Sequence, residues 1–486
     1  LQTRLGDAER KLWEIDDKRV SGFIEVEAAL IEHNNGLKEA TLLIDGTDAD
    51  VSAPWLIWNK PAGEPGNAKF DLFTTGEDMA KAAKFEIYSK NLRAKGSIEL
   101  NESRTIETLI FDLLEFGTTK LSSQLRLKDH NQYEISILAD NIDLTSLAPL
   151  DEIENGRKFF ISGEAGKIIL PNGAIFSGVE GHISRGKGKA LTVEGIAQEL
   201  DLRKYFSNND SNNGSAHGEK TPLPALNMKG NIQRILIDDQ ITLSNFRGET
   251  SYDGEKFGAT EAEVFLENSE KVQFRIDKRE KNRVLSIYSA NAGAALRALD
   301  ITDDLIGGTL MVKANFHDNE EHRPLVGNLI INEFHVVNAP ILAKLLTIAT
   351  LTGALELLGG QGLSFDQLHA PFIYRDGKIT LNKARASSFS LGLTLDGDIN
   401  RNDGTADLKG TIIPAYVLNS FVGHVPVIGD ILTGGVGQGV FAATYHAQGP
   451  LDDVTISVNP LTALAPGILR DLFNLFEPVP KNSSGN

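Results

Sequence analysis

The chain has no cysteine among its 486 residues, which excludes disulfides, thiolate nucleophiles and thiolate metal sites. A cysteine-free chain suits an oxidising compartment, where no thiol is left to mispair, though cytosolic proteins without cysteine are also common. Tryptophan is confined to Trp13, Trp55 and Trp58, so a stacking platform for sugar rings has material only near the start. No apolar run reaches the roughly 20 uninterrupted residues that a spanning helix needs. The stretch 339–358 is broken by Lys344 and Glu356, and 421–445 by Asp430 and a series of glycines and prolines. Basic residues are in deficit, 48 against 66 acidic ones, for a net charge of −18. That balance argues against nucleic acid and anionic membrane surfaces, because phosphate binding relies on Lys and Arg. The first residue is Leu1, with no basic-then-apolar leader, so the expectation is a mature or excised portion with any membrane anchor outside it.

Catalytic signatures are missing as well. There is no G-x-S-x-G elbow, Walker A loop or H-E-x-x-H pair. "GKGK" (186–189) lacks the following Ser or Thr of a phosphate loop. "HDNEEH" (317–322) gathers His317, Asp318, Glu320, Glu321 and His322, but between two strand-like runs it reads as a polar hairpin tip. "DGDINRNDGTAD" (396–407) has Arg401 at the sixth position, where a calcium loop needs Gly, and it too reads as a hairpin tip. Neither a metal nor a cofactor is expected, and the chain does not read as an enzyme.

What is present is alternation. In "LGLTLDGDI", Leu391, Leu393 and Leu395 alternate with Gly392 and Thr394, the two-residue period of a strand with one apolar face. The pattern recurs in "YEISIL" (133–138), "VQFRID" (272–277), "TLMVKANF" (309–316), "DLKGTII" (407–413) and "VTISVN" (454–459). Asp-Gly and Asn-Gly pairs between such runs favour two-residue hairpin turns. The expectation is mainly β: an elongated, curled antiparallel sheet of meanders with a few short helices, since the long helices of parallel crossovers are missing.

Three helices are expected, at 290–306, 339–358 and 468–476. The last is amphipathic, with Leu469, Leu472, Phe473 and Phe476 on one side. "SNNDSNNGSAHGEKTP" (207–222) is a polar loop or linker, giving segments 1–206, 223–338 and 339–486. "ILADNIDLTSLAPL" (137–150) and "EGIAQELDLRKYF" (194–206) each end a strand with an acidic-Leu step before a short helical turn, and "SIYSANAGAALRAL" (286–299) does so on a larger scale. These read as successive meander units closed by a small helix. "WNKPAGEPGNAKF" (58–70) reads as a structured loop, because its prolines and glycines interrupt any regular element.

So many apolar strand faces need a cover. Two sheets could cover one another as a sandwich, but the chain does not divide into blocks of sandwich size, and the helices are too few to roof about twenty strands. The alternative is an open trough, on the order of 100 Å long at roughly 4.8 Å per strand. A two-chain lipid of about thirty methylenes, at roughly 0.8 kcal/mol each, faces a cost on the order of 25 kcal/mol in crossing water. An apolar channel removes most of it.

The stretch "LTLDGDINRNDGTADLKGTIIPAYVLNSFVGHVPVIGDILTGGVGQGVFAATYHAQGPLDDVTISVNPLTALAPGILRDLF" (393–473) resembles the C-terminal region of the AsmA-like family of Gram-negative bacteria, in its YhdP- and TamB-related branch of bridge-like lipid transfer proteins. "SANAGAALRALDITDDLIGGTLMV" (289–312) and "WNKPAGEPG" are similar to the same proteins. The resemblance implies a taco-shaped repeating β-groove, attachment to the inner membrane by an N-terminal helix outside this chain, and a periplasmic role in moving phospholipid toward the outer membrane. The groove lining would be Val272, Phe274, Ile276, Leu310, Val312, Phe316, Leu391, Leu393, Leu395, Leu408, Ile412, Val454, Ile456 and Val458, where single substitutions should matter little. Ile341, Leu342, Leu345 and the 468–476 helix would touch a membrane or an outer-membrane partner, or else cap the groove. Rival readings are an assembly factor offering sheet edges to outer-membrane proteins, a β-sandwich polysaccharide-binding module, and a hydrolase without a recognisable signature.

Overall fold

The computed structural model describes residues 1–12, 19–32, 34, 37–53, 56–75, 82–101, 106–128, 132–147, 158–186, 190–205, 225–266, 270–279, 282–299, 301–337, 339, 342–343, 346–347, 362–388, 391–414 and 442–461. Among the described residues the protein is mainly β, 73% strand and 7% helix, with an open, antiparallel-dominated sheet. It divides into two compact units, residues 1–241 with 245–257, and 242–244 with 258–486. The 207–222 loop or linker falls within the residue range of the first unit.

The first unit holds β1 (Gln2–Leu5), α1 (Asp7–Leu12), β2 (Val20–Gly22), β3 (Ile24–Glu32), β4 (Leu37–Asp45), β5 (Ala49–Ala53), β6 (Trp58–Lys60), β7 (Gly66–Thr75), β8 (Ala82–Ser89), β9 (Leu92–Leu100), β10 (Ile106–Phe116), β11 (Thr119–Lys128), β12 (Gln132–Asp143), β13 (Lys158–Ile169), β14 (Ile175–Arg185), β15 (Leu191–Asp201) and β16 (Leu226–Leu236). Its main sheet runs β1-β3-β4-β7-β8-β9-β10 and on through consecutive strands to β16. A small sheet of β2, β5 and β6 stands apart. It ends at Lys60, whose buried ammonium donates to the carbonyls of Ala49 and Pro61 at 2.7 and 3.1 Å. The "PAGEP" turn follows, and β7 begins at Gly66, so the prolines interrupt the strands as their missing N–H requires.

Two pairings correct the expectation of pure meanders, because β12–β13 and β15–β16 are parallel. A parallel step needs a connection of about a dozen residues to carry the chain back, though not a helix. Residues 144–157 and 202–225 are those connections. Each begins at one of the acidic-Leu steps noted above, with Asp143 accepting from the Thr145 N–H at 3.0 Å and Asp201 from the Arg203 N–H at 3.0 Å. The repeated phrase therefore marks the start of a crossover. The 207–222 stretch lies within the second, in one unit, and its structure is outside the described residues.

β17 (Thr242–Tyr252) is shared between the units. The second unit continues with β18 (Phe257–Phe265), β19 (Lys271–Arg279), β20 (Asn282–Ser289), α2 (Ala292–Ala298), β21 (Leu305–Phe316), β22 (Leu325–Val336), β23 (Leu363–Arg375), β24 (Lys378–Ser387), β25 (Leu391–Asn400), β26 (Thr405–Pro414), β27 (Ala442–Pro450) and β28 (Thr455–Leu461). From β18 to β28 each strand pairs antiparallel with the next. The β23–β24 turn has Asp376 and Gly377 at φ 47° and 81°, the positive values that made Asp-Gly a hairpin signal.

The helix expected over 290–306 is shorter than its pattern. α2 is capped by Asn291, which accepts from the Ala294 N–H at 3.0 Å, and it ends at Ala298. Leu305 already belongs to β21. Gly308 (φ 79°) and Glu333 (φ 54°) face one another at positive φ without a change of register, and the alternation shifts there in both strands. In consequence Leu305 is 7% exposed and Ile306 is 50% exposed. Residues 342–343 and 346–347 are helical; the rest of 340–361 and all of 468–476 lie outside the described residues.

Candidate functional site

Strand register turns the alternation into rows that cross the sheet. In the second unit one row runs Phe274–Ile287–Val312–Leu329–Ala370. The next runs Ile276–Leu285–Ala314–Gly327–Phe372–Leu381–Gly397–Leu408–Ala447–Ile456. A third starts Val272–Ser289–Leu310–Ile331–Leu368–Ala386–Leu393–Ile412. Ser289, the polar member, satisfies itself locally by donating to the Asn291 carbonyl at 3.0 Å. On the opposite face Gln273, Tyr288, Met311, Ile330, His369, Arg385, Thr394, Thr411 and Thr444 succeed one another in register. One face is apolar and the other mostly polar.

The register places every strand residue expected to line a groove on this apolar face. Val454 precedes β28 and is buried at its entrance. They do not share one environment, however. Val272, Phe274, Val312, Phe316, Leu393, Leu395, Leu408, Ile456 and Val458 are half-buried, whereas Ile276, Leu310, Leu391, Ile412 and Val454 are buried. The expectation that single changes matter little is corrected for this second group. Leu310, Leu391 and Ile412 belong to a core with Ala292, Ala295 and Leu296 of α2 and with Leu342 and Leu346. Helices sit on the apolar face at that end of the strands. Leu342, 8% exposed, packs within this core. Ile341, Leu345, Leu469, Leu472, Phe473 and Phe476 lie outside the described residues.

The first unit has the same construction. Its rows are Leu30–Ala40–Leu72–Ala83–Ile98–Leu109–Leu125–Ile135–Ile161–Ile183–Val193–Met228, then Ala28–Leu42–Phe70–Phe85–Gly96–Phe111–Ser123–Ile137–Gly163–Gly181–Gly195–Gly230, then Val26–Ile44–Ala68–Ile87–Ala94–Leu114–Leu121–Ala139–Ala165–Val179–Ala197–Ile232. The four glycines in register let neighbouring strands approach closely. A Cβ at Gly163 would stand 2.1 Å from the Ile137 carbonyl oxygen, and one at Gly181 would stand 2.5 Å from that of Glu194. The reverse face carries Ser136–Ser162–His182–Glu194–Lys229. On this apolar face Phe85, Ala94, Ala139, Ala165 and Ala197 are buried, and the branched side chains Ile135, Ile161, Ile183 and Val193 are half-buried.

Two arginines were not anticipated on these faces, although their strand parity places them there, and one of them is met by an aspartate from a hairpin tip. Arg283 pairs in register with Phe316, stacks 3.9 Å from its ring and holds Asp318 through two bonds of 2.8 and 2.7 Å. The side chains of this pair are 10% and 5% exposed. Arg185 pairs in register with Phe159, with its guanidinium 6.0 Å from that ring. Asp318 comes from the "HDNEEH" tip, where His317 meets Glu320 at 2.8 Å and His322 meets Asp376 at 2.7 Å. That tip is a hairpin connection, as is "DGDINRNDGTAD", whose Asp403 accepts from Asn400 and Thr405. Among the described residues no group of three acidic or histidine side chains is placed to hold a metal.

On the apolar face Tyr445 lies over Gly410, where a Cβ would come within 2.5 Å of the phenol oxygen, and its hydroxyl donates to the Thr394 carbonyl at 2.7 Å. Burial holds the phenol far above its ordinary value, with Asp396 adding to the effect. On the polar face burial lowers the His369 imidazole, and Arg385 beside it acts in the same direction. The polar face also carries concavities, such as one of about 520 Å³ lined by Glu27, Leu43, Lys69, Glu86, Tyr88 and Lys95. Its mixed charges are largely paired across strands, as in Lys95–Glu86 at 3.0 Å. Among the described residues no helix is long and apolar enough to cross a membrane. No protein-family model, curated protein or solved structure matches the chain.

Proposed function

We propose that the chain is a lipid conduit in which acyl chains travel across the strands along the apolar rows. The observation that carries this reading is the continuity of those rows. In the first unit three of them cross twelve strands, a run on the order of 50 Å at about 4.8 Å per strand. Packing a core of local contacts does not require such a run. A hydrocarbon tail moving step by step does, because each exposed methylene costs roughly 0.8 kcal/mol in water. The sequence resemblance to AsmA-like proteins points the same way. On that resemblance the cargo is phospholipid passing through the periplasm between inner and outer membranes in support of outer-membrane integrity, with the inner-membrane anchor outside this chain. The work is solvent exclusion, with no catalytic step and no cofactor.

The test is to purify the chain from cells and identify bound lipids by mass spectrometry. Co-purifying phospholipid is expected, and bound polypeptide without lipid would favour the assembly-factor reading instead. Leu393→Glu sharpens it. This half-buried side chain stands between Ala386 and Ile412 on the apolar face, so lipid should be lost while the circular dichroism of the sheet is retained. Wild-type lipid content in the folded variant would refute passage over this row.

A further inference from the structure

The two arginines on the apolar faces differ in how their charge is answered. Arg283 has Asp318 at two hydrogen-bonding distances. Arg185 sits at the end of β14, in register with Phe159 on one side and Leu191 on the other, and Leu191 is 3% exposed. Its Nε is buried and finds no acceptor among the described residues. A guanidinium stays charged at any physiological pH, and a buried donor left unsatisfied is costly, more so when charged. Buried polar atoms of folded proteins rarely lack a partner. The planar fork is shaped for bidentate contact with a phosphate or carboxylate.

We propose that Arg185 is an anchor for the anionic head of a lipid whose tail lies on the adjoining Ile161–Ile183–Val193 row. This rests on the conduit reading and adds to it a defined stopping point for the head, at the rim of the first unit's apolar face. The tail supplies apolar contact along the row, and the head supplies the acceptor that Nε lacks.

Calorimetric titration of the full chain with decyl phosphate, decanoate, decanol and inorganic phosphate, each below any micelle concentration, tests it. The chain should bind decyl phosphate or decanoate about tenfold or more tighter than decanol, the scale of a charge-assisted hydrogen bond. Arg185→Gln should bring the anion down to the decanol level, and Arg185→Lys should keep part of the preference, with circular dichroism checking the fold of both. Ile161→Glu should weaken decanol as well. Unchanged anion binding in Arg185→Gln, with decanol still bound, overturns the anchor and leaves the conduit standing. Inorganic phosphate binding as tightly as decyl phosphate overturns it too, because the tail would then contribute nothing. Failure of decanol and decyl phosphate alike removes the conduit and the anchor together.

Discussion

The second unit covers one end of its apolar face with protein, and the first leaves the branched residues of its rows half-exposed. In the second, α2 and the segment carrying Leu342 and Leu346 press onto β21, β22, β25 and β26, so Leu310, Ile331, Leu391 and Ile412 reach 3% exposure or less. In the first, the buried members of the corresponding rows are mostly alanines, and Ile135, Ile161, Ile183 and Val193 shield one another only partly. The arginines follow the same division, with Arg283 neutralised from within its unit. The same binary pattern therefore serves two ends: a core where helices pack on it, and, among the described residues of the first unit's rows, a half-buried apolar wall shared between strands. Alternation specifies which face is apolar, but what lies on that face is decided elsewhere in the chain.

Asp318→Asn should expose this difference most strongly. It removes the carboxylate that holds the buried Arg283 guanidinium through two hydrogen bonds, which costs about 3 kcal/mol of stability, read as a lower denaturant midpoint. Arg185→Gln, which breaks no ion pair among the described residues, should leave the midpoint almost unmoved. Similar losses in both would mean that Arg185 has an internal partner. Next comes Leu391→Ala, which opens a cavity under the helices at a cost of about 3 kcal/mol. The comparison change Ile161→Ala, at a half-buried site, should cost about 1 kcal/mol. Equal costs would mean that the first unit's rows are as closely covered as the second's.

Much of this division was beyond sequence reading, for definable reasons. Strand parity put Leu393, Leu408 and Ile456 on one face correctly, because a period of two leaves no freedom once a strand is granted. The Asp376-Gly377 turn was legible because few other pairs accept two positive φ values. The parallel steps were not legible. The phrases at 137–150 and 194–206 were seen to repeat, but a strand followed by a short turn has the same local sequence whether the chain doubles back or crosses over. The 290–306 helix is too long as an expectation because "ITDDLI" continues an apolar spacing that either period accommodates, and the pairing of Leu305 and Ile306 with Val336 and His335 takes that end into a strand. Burial of Leu391 or Leu342 depends on contacts between distant segments, which no local pattern carries. Arg185 and Arg283 were readable in principle, each falling two residues from an apolar-face isoleucine or leucine, but charge at a strand end is ordinarily dismissed as solvated.

Tyr445→Phe tests the apolar face of the second unit at smaller scale. The ring would remain over Gly410, so apolar contact is unchanged and only the bond to the Thr394 carbonyl is lost. About 1 kcal/mol of destabilisation is expected, with lipid content unaltered. A much larger loss would mean that the hydroxyl also orders β25 against β27.

The smallest effect concerns acid stability at the second crossover of the first unit. Hydrogen bonds from Arg203 hold the Asp201 carboxyl below its ordinary value, against an opposing contribution from burial. Arg203 also reaches Asp239 at 3.0 Å, tying the turn after β15 to the strand end beyond β16. A carboxyl depressed in the folded state contributes stability that is fully present above its unfolded pKa of roughly 3.9 and is lost as pH falls through the lower folded value. Asp201 is 21% exposed and Arg203 46% exposed, so solvent screening holds the contribution to about 0.5 kcal/mol. Asp201→Asn should lower stability by that amount at pH 6, and the difference between the two proteins should shrink as pH falls below the unfolded pKa and through the depressed folded value. Asp398 in the second unit, depressed by hydrogen bonds from Thr380 and Lys378, is the control, because it lies in an antiparallel hairpin and closes no crossover. If Asp201→Asn alone also slows refolding at pH 6, the aspartate helps to seat the parallel β15–β16 step; equal refolding in both variants would reduce it to one more surface ion pair.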